Sequence, residues 1–184
     1  MEGLTLAVRL EQDEAELRAT YTIANDRRGE PIYLLNQLQT EDAFSSEIAY
    51  TCWAEDETAL LLQGETPEPE DPLVQRFEPE VPGATRLLPG ESFSATVRAG
   101  LPLQEWNAYQ DPDPNAPFDR VRIDRIVLRI QYIVESATFY ADEYENFPGV
   151  YQVNGSPVLS LGVAATLPSP TVLHRRRDAF RRFA

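Results

Sequence analysis

The sequence predicts an all-β chain, an antiparallel β-sandwich, and three observations carry that prediction. Apolar and polar residues alternate with period two in one segment after another. Turn-forming residues separate these segments at near-regular spacing, as they do in sandwich folds. No long amphipathic helical pattern precedes residue 170. With 184 residues, 42% hydrophobic and 10% aromatic, the chain is long enough to bury one sizeable core without cross-links. A closed barrel is the competing architecture.

The first two strands are Leu4, Leu6, Val8 and Leu10, then Leu17, Ala19, Tyr21 and Ile23, joined at Gln12-Asp13-Glu14. Asn25 to Gly29 supplies a turn into a third strand at Pro31 to Leu35. Residues 48–53 and 59–63 read as a pair folded about Glu55-Asp56-Glu57. Residues 65–82 hold five prolines and six acids, a composition that resists both helix and sheet, with only Leu73 to Phe77 able to pair briefly. Leu87-Leu88-Pro89-Gly90-Glu91 then turns into a strand from Ser92 to Ala99. After a long loop over 100–119, the most apolar segment follows: Val121 and Ile123, then Ile126, Leu128, Ile130, Tyr132 and Val134. It is the expected central strand. Residues 150–153 and 157–163 are expected to close the fold as a hairpin about Asn154-Gly155.

One spaced pattern resembles bacterial immunoglobulin-like sandwich domains. A strand ends in Tyr21-Thr22-Ile23-Ala24-Asn25, and Leu88-Pro89-Gly90-Glu91 opens a later strand. The resemblance spans roughly residues 4–135 and implies an immunoglobulin-like β-sandwich with an adhesive or scaffolding role.

Composition narrows the chemistry. The chain has no lysine, one histidine (His174), one cysteine (Cys52) and one methionine. Nucleophilic, general-base and transition-metal sites draw mostly on such side chains, so catalysis is not expected. The missing lysine fits evasion of lysine-directed modification or, the favoured account, codon bias toward arginine in a GC-rich genome. A single cysteine forms no internal disulfide, and Cys52 in an apolar stretch reads as a small buried thiol. Thirty acids against sixteen arginines give a formal charge of -14, a field that repels nucleic acid and anionic lipid. No run is long enough to cross a bilayer. A cytoplasmic protein that does not insert into membranes is the expectation.

Three constellations stand out. Between His174 and Phe183, five arginines (Arg175, Arg176, Arg177, Arg181, Arg182) meet one aspartate, with Phe180 among them. The segment 171–184 is expected to be a basic tail or a short helix capped by Thr171, beside a sandwich domain over 1–170. Such a tail needs a surface: its own acidic body, a partner protein or, disfavoured by the negative body, an anionic membrane or nucleic acid. Asp111, Asp113 and Asn115 alternate along the long loop, with Asp119 beyond, an oxygen set suited to a loose calcium site; the glycine and glutamate of an EF-hand are missing. Trp106, Tyr109 and Phe118 lie in the same loop, and Phe139, Tyr140, Tyr144, Phe147 and Tyr151 follow the central strand. Rigid rings in polar loops serve recognition surfaces, and they equally cap the ends of a sandwich.

Together these readings lead to a non-catalytic adaptor or scaffold module that binds a protein partner through aromatic and acidic loops and an Arg-rich tail. A calcium- or carbohydrate-binding module of an exported protein is the second reading. A hydrolase using two carboxylates about 5 to 10 Å apart is the third.

Overall fold

The computed structural model describes residues 3–40, 42–65, 82–106, 118–136 and 138–176. Every regular element among them is a strand: β1 (Leu4–Gln12), β2 (Glu16–Asn25), β3 (Ile32–Gln39), β4 (Phe44–Ser45), β5 (Tyr50–Trp53), β6 (Thr58–Gln63), β7 (Gly83–Leu87), β8 (Ser92–Gly100), β9 (Leu103–Gln104), β10 (Phe118–Val134), β11 (Tyr140–Glu143), β12 (Val150–Asn154) and β13 (Val158–Arg176). The smaller sheet has the order β1-β2-β8. The larger follows β11-β12-β7-β3-β10-β13-β9, with β4 on β3, β6 on β10 and β5 on β6. One core joins the two sheets in a sandwich-like fold. Leu17, Ala19, Tyr21, Ile23 and Val97 of the smaller sheet pack with Ile32, Leu34, Leu61, Ile126, Leu128, Ile130 and Tyr132 of the larger.

The β1–β2 hairpin forms as expected, because Asp13 closes its turn. The Asp13 carboxylate accepts the Ala15 and Glu16 amides, both at 2.9 Å. β5 and β6 likewise pair about the charged turn, where Asp56 and Glu57 take left-handed φ values of 56° and 54°. That conformation costs a non-glycine residue roughly 1–2 kcal/mol. It coincides with a use: the Glu57 carbonyl accepts the Asp124 amide at 3.0 Å.

Asp124 is where β10 changes face. Its pairing with β13 jumps from Ile123↔Thr171 to Arg125↔Thr166, leaving Leu167-Pro168-Ser169-Pro170 out of register. Two prolines there have no amide to give the ladder, and the Ser169 amide turns to the Gln12 side chain at 3.3 Å. Before this bulge the odd-numbered Ile123 faces the core; after it the even-numbered Ile126, Leu128, Ile130 and Tyr132 do. The sequence shows the same step, as a three-residue gap between Ile123 and Ile126.

The larger sheet also curls at one end. β10 pairs with β13, and β13 pairs with β9 in parallel at Leu173↔Leu103. The amide of Trp106, just past β9, bonds the Thr51 carbonyl of β5 at 2.7 Å. β5 pairs with β6, and β6 pairs in parallel with β10. This backbone bond completes a ring, the barrel element that competed in the sequence.

Three expectations are corrected. Thr171 caps no helix: Thr171 to Arg176 continue β13, since β10 and β9 satisfy that backbone from both sides, whereas an isolated short helix is marginal. The Asn154-Gly155 hairpin is absent, because β12 pairs with β11 and β7 while β13 pairs with β10. A tight type I′ turn needs positive φ at both central residues, and neither Asn154 nor Gly155 has it. The loop over 100–119 is partly strand, with β9 at its start and β10 beginning at Phe118. The segment Leu73 to Phe77 lies outside the described residues.

Four of the five aromatics after the central strand pack on the sheet, whereas Tyr140 is exposed. Phe139 and Tyr151 lie 4.6 and 5.6 Å from the Tyr33 ring, and Phe44 meets Tyr144 and Phe147 at 4.8 and 5.1 Å. The sandwich interior also holds a polar chain: Gln37 donates to the Thr85 hydroxyl, Thr85 to Asn36, and Asn36 to the Tyr21 hydroxyl at 3.1 Å. Burial pushes that hydroxyl's pKa up to about 12.

Two substitutions test this core. Leu128→Ala, at a fully buried site, is expected to lower stability by about 2–5 kcal/mol in urea unfolding. Tyr21→Phe should cost about 1–3 kcal/mol in the same assay, because the buried Asn36 amide loses its acceptor.

Candidate functional site

Three of the sequence-selected recognition residues come together at the curled end of the larger sheet. The Trp106 ring lies 4.3 Å from that of Tyr50, fixed by the bond between its amide and Thr51. Trp53, on β5, receives the Arg175 guanidinium 4.2 Å above its ring. Glu105 holds these strands to one another: its Oε1 accepts the Trp53 amide at 3.3 Å and lies 3.7 Å from the Arg175 Nε. Both charged side chains are mostly withdrawn from water, so the ion pair and the cation–π contact act in reduced dielectric. Cys52 lies beside Trp53 on β5. Burial above all, then the negative charges of Glu105 and Glu65, push its thiol pKa up to about 12.

The opposite face of the same strands carries Phe118 and His174. Phe118 is 42% exposed, and its ring stacks on the His174 imidazole at 4.0 Å and 25°. The Gln104 amide nitrogen is 3.1 Å from His174 Nδ1 and also donates to the Pro102 carbonyl. An amide nitrogen only donates, so Nδ1 is the acceptor and the imidazole proton sits on Nε2. Partial burial, and then the nearby Arg120 charge, hold the His174 pKa below its ordinary value. His174 therefore does not hang in a free tail, as the sequence suggested; it is a ladder residue opposite Arg120.

The register extends the convergence. Phe118 pairs with Arg176 and Asp119 with Arg175, so the segments 107–117 and 177–184 depart from neighbouring ladder positions. Tyr109, Arg177, Phe180, Arg181 and Arg182 lie outside the described residues, as do Asp111, Asp113 and Asn115 of the proposed calcium set. Asp119 is exposed at the start of β10, and among the described residues no three His, Cys, Asp or Glu side chains gather as metal ligands. Sequence reasoning missed Tyr50, Trp53, Gln104, Glu105 and Arg120, and took His174 only as the start of a basic tail. The signal for Trp53 was its position at the end of a strand, and for Arg120 the alternation Phe118, Arg120, Arg122. No helix among the described residues is long and apolar enough to cross a membrane.

This surface combines half-exposed rings with an arginine on rigid strands, the composition that anchors protein contacts. The Cys52 environment gives a direct check on the packing beneath it. A thiol titrating near 12 is protonated at pH 8, so the folded protein should resist iodoacetamide there while urea-unfolded protein alkylates readily. A folded-state pKa raised from 9.0 also makes the contribution of this thiol complete below pH 9 and lost as pH climbs toward about 12. Alkaline unfolding followed by circular dichroism should show that loss, reduced in Cys52→Ala.

Comparison of the chain with models of known protein families, with curated proteins and with solved structures finds no match in any of the three.

Proposed function

We propose that this chain is a non-catalytic protein-interaction module, an immunoglobulin-like sandwich of a cytoplasmic bacterial protein that seats a partner on the curled end of its larger sheet. The observation that carries this reading is the gathering of Tyr50, Trp53, Trp106 and Arg175 on one face of this curled end, with Phe118 on the other face of the same strands. Tryptophan, tyrosine and arginine dominate binding hot spots because large, stiff side chains bury area at low entropic cost. Strands hold them in place before any partner arrives, which limits the ordering cost of association.

The immunoglobulin-like reading draws support from Asn25. Its backbone bonds Gly90 and Glu91, at 2.6 and 2.9 Å, and its side chain donates to the Leu87 and Glu30 carbonyls. The two motifs on which the resemblance rests are thus in contact. A chain with one cysteine, and hence no internal disulfide, suits a reducing compartment.

The test is affinity capture from a bacterial lysate with wild type, Trp106→Ala and Phe118→Ala, read by quantitative mass spectrometry. Specific partners should fall at least about tenfold with each variant, the size of a typical anchor truncation, while the thermal midpoint of Phe118→Ala stays at the wild-type value. Equal recovery of every captured protein by all three forms would exclude this end of the sheet as the recognition surface.

A further inference from the structure

The protein-recognition reading leaves the chemistry of the partner open, and the outward face of β10 and β13 narrows it. Side chains two apart on a strand share a face, and register partners share it too. Phe118, Arg120 and Arg122 of β10 therefore lie on one face with Val172 and His174 of β13, as the Phe118–His174 stack shows directly. The Arg120 guanidinium lies 5.9 Å from the Phe118 ring. Gln104 of β9 extends the strip through its bond to His174.

In a chain with nearly two acids per base, this strip is under-neutralised. Among the described residues Arg120 forms no salt bridge, and Arg122 meets only Glu57, at 3.9 Å. Arg120 stands directly opposite His174, whose imidazole is neutral and brings no counter-charge. The Asp124 bulge maintains the arrangement, since it turns Arg120 and Arg122 outward instead of toward the core.

We infer that this strip docks an extended acidic peptide segment of the partner protein, with carboxylates two residues apart over Arg120 and Arg122 and an apolar side chain against Phe118. This rests on the reading of the chain as a protein-recognition module. The spacing fits, because residues two apart in an extended peptide repeat about every 7 Å, as do Arg120 and Arg122 along β10. The His174 Nε2–H and the guanidinium groups offer donors and no acceptor, which suits carboxylates. A short segment fits better than nucleic acid. A polyphosphate longer than the strip would run onto Glu57 and Asp124 at its border and into the field of a chain carrying -14.

Because the chain has one histidine, its imidazole signals report this strip alone. The probes are a synthetic peptide of alternating glutamate and threonine, its glutamine counterpart, and an oligothymidylate of equal charge, each titrated at low salt. The glutamate peptide should move the His174 resonances and raise their pH midpoint, since a bound carboxylate favours imidazolium. Added salt should weaken the effect, and the exposed-site double variant R120Q/R122Q should weaken it about tenfold without changing the thermal midpoint. An unmoved His174 signal, an equal response to the glutamine peptide, or tighter binding of the oligothymidylate would overturn the inference. If that happened while Phe118-dependent capture persisted, protein recognition would stand with a different partner chemistry.

Discussion

The bulge at Asp124 decides which face of the longest ladder meets water. β10 bonds β13 along its length, and along its other edge β6 and then β3. A strand so enclosed has a fixed register, and its side chains alternate strictly unless a residue is inserted. Continued without interruption, the parity of Ile126, Leu128, Ile130 and Tyr132 would send Phe118, Arg120 and Arg122 inward. The inserted residue reverses this, so Ile123 seals the core and the arginines stand outside. The left-handed turn at Asp56 and Glu57 holds the arrangement by taking the freed Asp124 amide. Local strain in one hairpin thus fixes the orientation of a surface on another strand.

The two sheets are tied at a second point. The chain crosses between them from β2 to β3 and again from β7 to β8, and Asn25 touches both crossings. It is fully buried, yet its amide nitrogen, its side-chain oxygen and both its backbone groups are bonded. Gly90 takes a φ of 83°, which lets the turn approach closely enough for its amide to reach the Asn25 carbonyl. A buried side-chain amide without those partners would cost more than the contacts it makes.

Much of this architecture was legible because alternation is a local signal. The β1–β2 hairpin, the β5–β6 pair, β8 and the central place of β10 all follow from period two and the residues that interrupt it. What failed was pairing over distance. Asn154-Gly155 is a strong local hairpin signal, but Val153 packs with Tyr33 and Ile133 in the second apolar cluster while Leu161 belongs to the main core, so the two strands separate. The segment from Thr171 read as an amphipathic helix because Leu173, Phe180 and Phe183 fall on one side of it with arginines on the rest, yet Leu173 is fully buried against the ring of strands around Leu103 and Ile123. For the site, Trp106, Phe118 and Arg175 were found from residue type, and Trp53 and Glu105 were not, because the parallel β9–β13 pairing and the Trp106–Thr51 bond together bring them beside Arg175.

Both indoles of the chain, Trp53 and Trp106, lie at the curled end, whereas the fully buried rings of the interior, Tyr21 and Tyr132, are phenols. The indole signals of this molecule therefore come from one place. Excitation at the red edge of the absorption band reports the mouth of the sheet, with the guanidinium over Trp53 acting as a built-in perturbant whose displacement changes emission. The phenols report both regions, because Tyr50 lies against Trp106 at this mouth while Tyr21 and Tyr132 lie in the core. Events at the surface can thus be followed through the two indoles in an unlabelled sample.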